Sequence, residues 1–281
     1  AAINARKKGT EVLYTAHGFH FYKGASIKNW LVYLPVESLL STITDGIITI
    51  NNEDHKNLKS GKFKSKGKYH VDGIGINPDR LNIGNGERDS TRKEHGFKKD
   101  DVVFFYIAEF IPRKNHQFIF NSLDSIIKKN KKVKFMFAGG FSSEKVKMEK
   151  IAQDLSFSDN VVFLGYQDNI GKFISAADIG ISSSKSEGLP IGISEMMYNK
   201  LPAIASNIRG HKELISTNYN GFLFDLNDHK QFENVVLDLA SDKKKRKSFG
   251  TNAYNSIQKY LIPNSLNQMA DIYSKHLGMN E

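Results

Sequence analysis

From Asp101 to Phe224 the chain repeats one pattern, a short apolar run followed by a helical stretch. The runs are D-V-V-F-F-Y-I-A (Asp101–Ala108), V-K-F-M-F-A-G-G (Val133–Gly140), N-V-V-F-L-G (Asn160–Gly165), D-I-G-I-S-S-S (Asp178–Ser184), P-A-I-A-S (Pro202–Ser206) and G-F-L-F (Gly221–Phe224). Most are continuous in Val, Ile and Phe rather than alternating with polar residues, the composition of strands buried on both faces. Helical stretches fall between them at Lys114–Lys129, Glu144–Leu155, Ile170–Ala176, Pro190–Asn199 and Gly210–Ile215, and three more follow from Asp228. Strand and helix in strict alternation mean a parallel sheet covered on both sides. In such sheets ligands bind beyond the carboxyl ends of the strands, so the residues after each apolar run are the ones to inspect.

The first part of the chain has the same style but less of it. Glu11–Ala16 and Gly46–Ile50 read as strands, Tyr69–Asn77 as a strand running into a glycine-punctuated loop, and Ile27 to about Ser41 and Asn51–Lys59 as helices. Pro78–Gly96 is polar and rich in turn residues and reads as a linker. The expected division is residues 1–90 as a partial first domain with its linker, 91–260 as a second domain, and 261–281 as a C-terminal helix packing back on the first. Ala1–Lys8 reads as the tail of a helix stopped by Gly9, which points to a first domain that is incomplete.

Composition removes several classes. Among 281 residues there is no Cys, which excludes disulfides, thiolate metal sites and thiol catalysis and fits a cytoplasmic location. No apolar run approaches the length of a membrane span. The net charge of +10 lies largely in lysine runs at Lys62–Lys68, Lys128–Lys134 and Lys243–Lys247. These runs lack the interleaved aromatics of a single-strand binder, so no nucleic acid partner is expected; an anionic small substrate or peripheral contact with an anionic membrane face fits as well.

The strongest local signal is S-E-G-L-P-I-G-I-S-E, Ser186–Glu195. Pro190 suits the first position of a helix, where a missing N–H costs nothing. The amides of Ile191, Gly192 and Ile193 then fall in a first turn without intrahelical partners, a ready site for an anion or hydroxyl. Gly192 would leave room for a ligand. Glu195, in the second turn, leans back toward the same start, and Glu187 lies in the loop leading in. Paired carboxylates repel phosphate but accept hydrogen bonds from vicinal hydroxyls, so the pair reads as a sugar and ribose clamp. Spacing alone equally allows Glu195 to offset the helix dipole and Glu187 to be solvated.

Other strand ends add candidates. E-F-I-P-R-K-N-H (Glu109–His116) offers Arg113 and Lys114 beside a helix start, suited to a diphosphate. Gly139 and Gly140 end another strand where backbone can approach a ligand. Tyr166 in F-L-G-Y-Q could hold a base edge or simply pack. His17 and His20 in H-G-F-H have no third ligand nearby, and no H-E-x-x-H, no D-x-D and no phosphate-binding G-x-x-x-x-G-K-[ST] loop occurs. No metal and no cofactor is expected.

Together these segments resemble the family 4 retaining glycosyltransferases. E-G-L-P-I-G-I-S-E matches their E-x7-E motif, and A-E-F-I-P-R-K-N their strand–turn–lysine segment. V-V-F-L-G-Y, A-A-D-I-G-I-S-S-S, L-P-A-I-A-S-N-I-R-G and N-G-F-L-F follow in family order. Y-T-A-H-G-F-H-F-Y-K-G-A, I-T-I-N-N-E-D and G-I-G-I-N are similar to the capsular and exopolysaccharide members. The resemblance implies the GT-B fold, two Rossmann-like doubly wound domains facing a cleft, here with the first incomplete. It implies sugar transfer from a nucleotide-diphosphate donor with retained configuration and no required metal, to a glycan or lipid-linked acceptor. By position, Lys114 would stabilise the leaving diphosphate, Glu187 contact the transferred sugar, His17 line the donor sugar and Glu195 bind the ribose diol, while Gly188 and Leu189 offer backbone amides. The family's Arg five places before the lysine is replaced by Glu109, a charge Arg113 would supply instead.

The expected function is therefore a metal-independent hexosyltransferase of surface polysaccharide synthesis at the inner membrane face. A nucleotide-sugar-binding module that needs a partner chain for turnover, and a GT-B-like nucleotide-sugar epimerase, are the alternatives.

Overall fold

A computed structural model describes residues 9–81, 84, 86–154 and 157–277. The helix tail read over Ala1–Lys8, and Leu155 as a helix end, lie outside these residues. By its packing the chain divides into two compact units, one made of residues 1–76, 187–189 and 259–281, the other of 77–186 and 190–258.

The first unit holds a three-stranded parallel sheet in chain order, β1 (Leu13–Ala16), β2 (Gly46–Thr49) and β3 (Gly67–His70). The connections are α1 (Ile27–Leu40) and α2 (Asn52–Lys59). Each starts on a side-chain cap. Ser26 accepts from the Asn29 amide, and Asn51 accepts from the Asp54 amide. The buried Asp54 carboxylate in turn accepts from the Phe19 amide at 3.0 Å, tying α2 to the segment after β1. One face of the sheet buries Phe19, Phe21 and Phe63, with the first two rings stacked at 4.8 Å. Trp30 and Leu34 of α1 pack on this cluster, while Ile27, Leu31, Val32, Val36 and Leu39 stand exposed. On the other cluster, Ile48 and Val71 meet Ile272 of a C-terminal helix numbered α11 below.

The second unit is built on a six-stranded parallel sheet in the order β6-β5-β4-β7-β8-β9. Its strands are β4 (Val102–Ile107), β5 (Val133–Ala138), β6 (Val161–Gly165), β7 (Ile179–Ser182), β8 (Ala203–Ser206) and β9 (Gly221–Phe224). The helices are α3 (Glu87–Glu94), α4 (His116–Lys129), α5 (Ser143–Asp154), α6 (Ile170–Ala176), α7 (Ile191–Tyr198), α8 (Arg209–Leu214), α9 (His229–Ser241) and α10 (Lys243–Ile257); α11 (Ile262–Leu277) belongs to the first unit. The core is heavily aromatic: Phe104, Phe120, Phe135, Phe137, Phe224 and Phe232 are each 1% exposed or less. Their burial supplies a large share of the apolar driving force, since each such ring removes 150–250 Å² or thereabouts from water. Among the described residues no helix is long and apolar enough to cross a membrane.

The stretch read as a linker contains α3. Its sequence, E-R-D-S-T-R-K-E, has no apolar stripe, which is why periodicity passes over it. Two guanidiniums anchor it instead. Arg88 donates to the Ser175 and Ala177 carbonyls and to Asp178, and Arg92 to the Ala176, Lys98 and Asp101 carbonyls and to Asp178. Asp178 also accepts from the Val103 amide at 2.9 Å, so one carboxylate joins α3 to the starts of β4 and β7. Arg92 is 5% exposed. Removing its carboxylate partner strands a buried charge. Asp178→Ala is expected to lower unfolding stability in urea by on the order of 3 kcal/mol. Glu94→Ala, which breaks the exposed ion pair with Lys172, should leave the urea midpoint nearly unchanged.

Candidate functional site

β4 lies between β5 and β7, and the strand order reverses direction there, with β5 and β6 to one side and β7, β8 and β9 to the other. The loops after β4 and β7 therefore leave a topological switch point, where a parallel sheet opens a crevice at its carboxyl edge. These two loops carry Arg113 and Lys114 on one side and the run from Ser183 to Ser186 on the other.

The second unit brings its candidates together as follows. The Arg113 carbonyl accepts from the Lys185 amide at 2.8 Å and from Ser184 Oγ at 3.2 Å, while Arg113 Nη1 donates to the Ser186 carbonyl at 2.8 Å. The Lys114 carbonyl accepts from Tyr106 Oη at 2.6 Å, and the Asn115 carbonyl from Ser183 Oγ at 2.8 Å. Asn115, in the left-handed region at φ 54°, is the N-cap residue that turns the chain into α4. The helix thus begins at His116, two residues later than expected, and Lys114 stands in the loop before it.

α7 begins at Ile191, with Pro190 as an extended N-cap residue rather than the first helical one. The first intrahelical bond runs from the Ser194 amide to the Pro190 carbonyl at 3.1 Å, so the amides of Ile191, Gly192 and Ile193 form the open first turn. Gly192 has a role beyond the one expected. A Cβ there would lie 2.9 Å from the Ile107 carbonyl oxygen. The missing side chain lets the N-terminus of α7 rest on the end of β4. Glu195, in the second turn, is half-buried; burial holds its carboxyl above the ordinary carboxylate value, partly offset by the Arg80 guanidinium.

Of the remaining candidates in this unit, Gly139 also answers to backbone. Its added Cβ would come within 2.2 Å of the Ala108 carbonyl oxygen, whereas Gly140 faces open space. Tyr166 is 75% exposed, so it does not serve the core and its ring is available at the end of β6.

In the first unit His17 is exposed and follows β1 directly. Gly188 packs against it so closely that a Cβ would lie 2.1 Å from the His17 carbonyl oxygen. Glu187 and Leu189 are each 8% exposed. Leu189 packs against Gly73. Among the described residues no group of three or more His, Cys, Asp or Glu stands where it could hold a metal ion.

Sequence reading missed the support behind the lysine loop. His116 is 4% exposed and stacked between Tyr106 at 4.5 Å and Phe110 at 4.1 Å. Burial, helped by the Lys114 charge, pushes its pKa down to about 3. Tyr106 and the serines after β7 carry the rest. The only sequence hint was S-S-S at a strand exit, three small hydroxyls where apolar residues had just ended. A histidine with a depressed folded pKa is neutral in the native state but charges in the unfolded chain. Its contribution is present above the ordinary value of 6.5 and lost as pH falls toward about 3. His116→Phe keeps an aromatic in the stack and removes the titration. Its melting temperature should therefore fall less steeply between pH 6.5 and pH 4 than that of the parent chain.

The family description Glycosyl transferases group 1 matches residues 87–256. Putative glycosyltransferase EpsD of Bacillus subtilis (strain 168) is 36% identical over 281 residues, covering 100% of this chain and 74% of that protein. The UDP-Gal:alpha-D-GlcNAc-diphosphoundecaprenol alpha-1,3-galactosyltransferase of Escherichia coli is 28% identical over 246 residues, covering 86% of this chain and 63% of that protein. Among solved structures, Anabaena HepE in complex with UDP-glucose superposes with a TM-score of 0.84 at 18% identity, over 98% of this chain and 75% of that one. That likeness is one of fold, the α/β GT-B fold of Rossmann-like units. The chain belongs to the glycosyl transferases of group 1, and by family it is a sugar-transferring enzyme.

Proposed function

We propose that this glycosyltransferase moves a sugar from a nucleoside-diphosphate donor to a glycan or lipid-linked acceptor in surface polysaccharide synthesis, with retention and without a metal ion. The observation that carries the reading is the N-terminus of α7 resting on the exit of β4, beside the loop that bears Lys114. Positive charge from two sources, helix amides and an ammonium, collects at one switch point of one sheet.

The chemistry follows from that placement. Cleaving the donor's glycosidic bond builds negative charge on the departing diphosphate. Lys114 and the amides of Ile191, Gly192 and Ile193 stabilise that charge more in the transition state than in the ground state. Glu195 accepts hydrogen bonds from the ribose hydroxyls, the exposed Tyr166 offers a face to the base, and the loop at Gly140 gives backbone access beside it. Toward the transferred sugar we assign Glu187, the Gly188 and Leu189 backbone and His17. A relative named for galactosyl transfer to GlcNAc-diphosphoundecaprenol supports the acceptor class, and a structural relative solved with UDP-glucose supports the donor class.

Calorimetric titration with UDP, GDP and their hexose conjugates, paired with release of nucleoside diphosphate in the presence of a lipid-linked glycan, tests the proposal. One nucleotide should bind, and turnover should persist in EDTA. Lys114→Ala should weaken diphosphate binding roughly ten-fold or more, the loss of one charge-assisted contact. Glu195→Gln should weaken it less. No binding by any nucleotide would overturn the proposal, and binding without turnover on any acceptor would leave a carrier module in its place.

A further inference from the structure

The carbonyls of three consecutive residues, Arg113, Lys114 and Asn115, are each held by a donor from outside their own loop. Ser183 and Ser184, whose exposure is 0%, supply two of these donors, and Tyr106, 2% exposed, a third. The Lys185 amide adds a fourth, and Arg113 returns a bond of its own to the Ser186 carbonyl. Ser184 is itself steadied on its carbonyl side by the Ser206 hydroxyl. This is more than a turn needs. It fixes the main chain at Lys114 from both sides and fixes the residue from which the chain runs on to Glu187.

We infer that Arg113 and Ser183 are positioning residues, a latch that holds the Lys114 backbone in register with the loop after β7, and that the Arg113 guanidinium serves Ser186 rather than the diphosphate. The inference rests on the proposed reading of the Lys114 loop as the diphosphate site. A long, flexible ammonium side chain can find a bound phosphate from several backbone positions. It stabilises the developing charge of a transition state only if its own anchor is fixed in advance. A latch of this kind therefore acts on turnover more than on affinity.

The test uses Arg113→Ala, Arg113→Gln and Ser183→Ala, with Lys114→Ala as reference, each checked by melting temperature for intact folding. Under the latch, Arg113→Ala and Ser183→Ala lower kcat about ten-fold while the Kd for UDP stays within about three-fold. Arg113→Gln, a neutral donor, recovers much of the lost kcat. Amide exchange over residues 183–186 in the unliganded chain speeds up in Arg113→Ala and not in Lys114→Ala. If instead Arg113→Ala and Arg113→Gln both lose UDP affinity about ten-fold with kcat unchanged, Arg113 is a phosphate ligand and the latch is wrong. Should the parent chain bind no nucleotide, the functional reading fails separately. The exchange measurement still decides the latch, and unchanged exchange in Arg113→Ala overturns it.

Discussion

The site depends on one packing contact, the N-terminus of α7 seated on the carboxyl end of β4 through Gly192. A parallel sheet with strand order β6-β5-β4-β7-β8-β9 has one place where neighbouring strands lead to helices on opposite faces. That place is the pair β4 and β7. Seating a helix start there puts open amides at the mouth of the crevice, and no residue larger than glycine at position 192 leaves the Ile107 carbonyl undisturbed. The serine run after β7 and the Arg113–Ser186 bond then fix the second wall against the first.

The architecture was legible because it is repetitive. Runs such as Val102–Ile107 and Val133–Ala138 are too short for buried helices and too continuous for half-exposed strands, so they announce a covered parallel sheet. What escaped was α3, because its hold on the sheet is electrostatic. Arg88 and Arg92 reach Asp178 across a long stretch of sequence, and no local pattern encodes such a partner. α1 was legible as a helix for a different reason than usual. It is apolar nearly all round, with only Trp30 and Leu34 turned to the aromatic cluster.

At the site, residue types were legible and their reasons were not. Gly139 and Gly192 read as places where a ligand approaches and Gly188 as a backbone donor, and each also faces a carbonyl of the chain itself: Ala108, Ile107 and His17 in turn. The two uses are compatible, since backbone packed that closely also brings its amides forward. Arg113 adds a contact that no local pattern announces. A cation next to Lys114 invites a phosphate in one dimension, whereas in three its guanidinium meets a main-chain carbonyl of the neighbouring loop. Nothing in the sequence marks His116, and its two stacking partners together with its burial make it a neutral core histidine.

The claim that unites these observations is that a diphosphate is met by the open first turn of α7. Following backbone amide resonances during titration with UDP tests it most directly. The account predicts large shifts at Ile191, Gly192, Ile193 and Asn115, with the opposite edge of the same sheet, Lys98–Asp101 and Lys131–Lys134, unmoved. Shifts confined to that opposite edge, with the α7 amides silent, would contradict it.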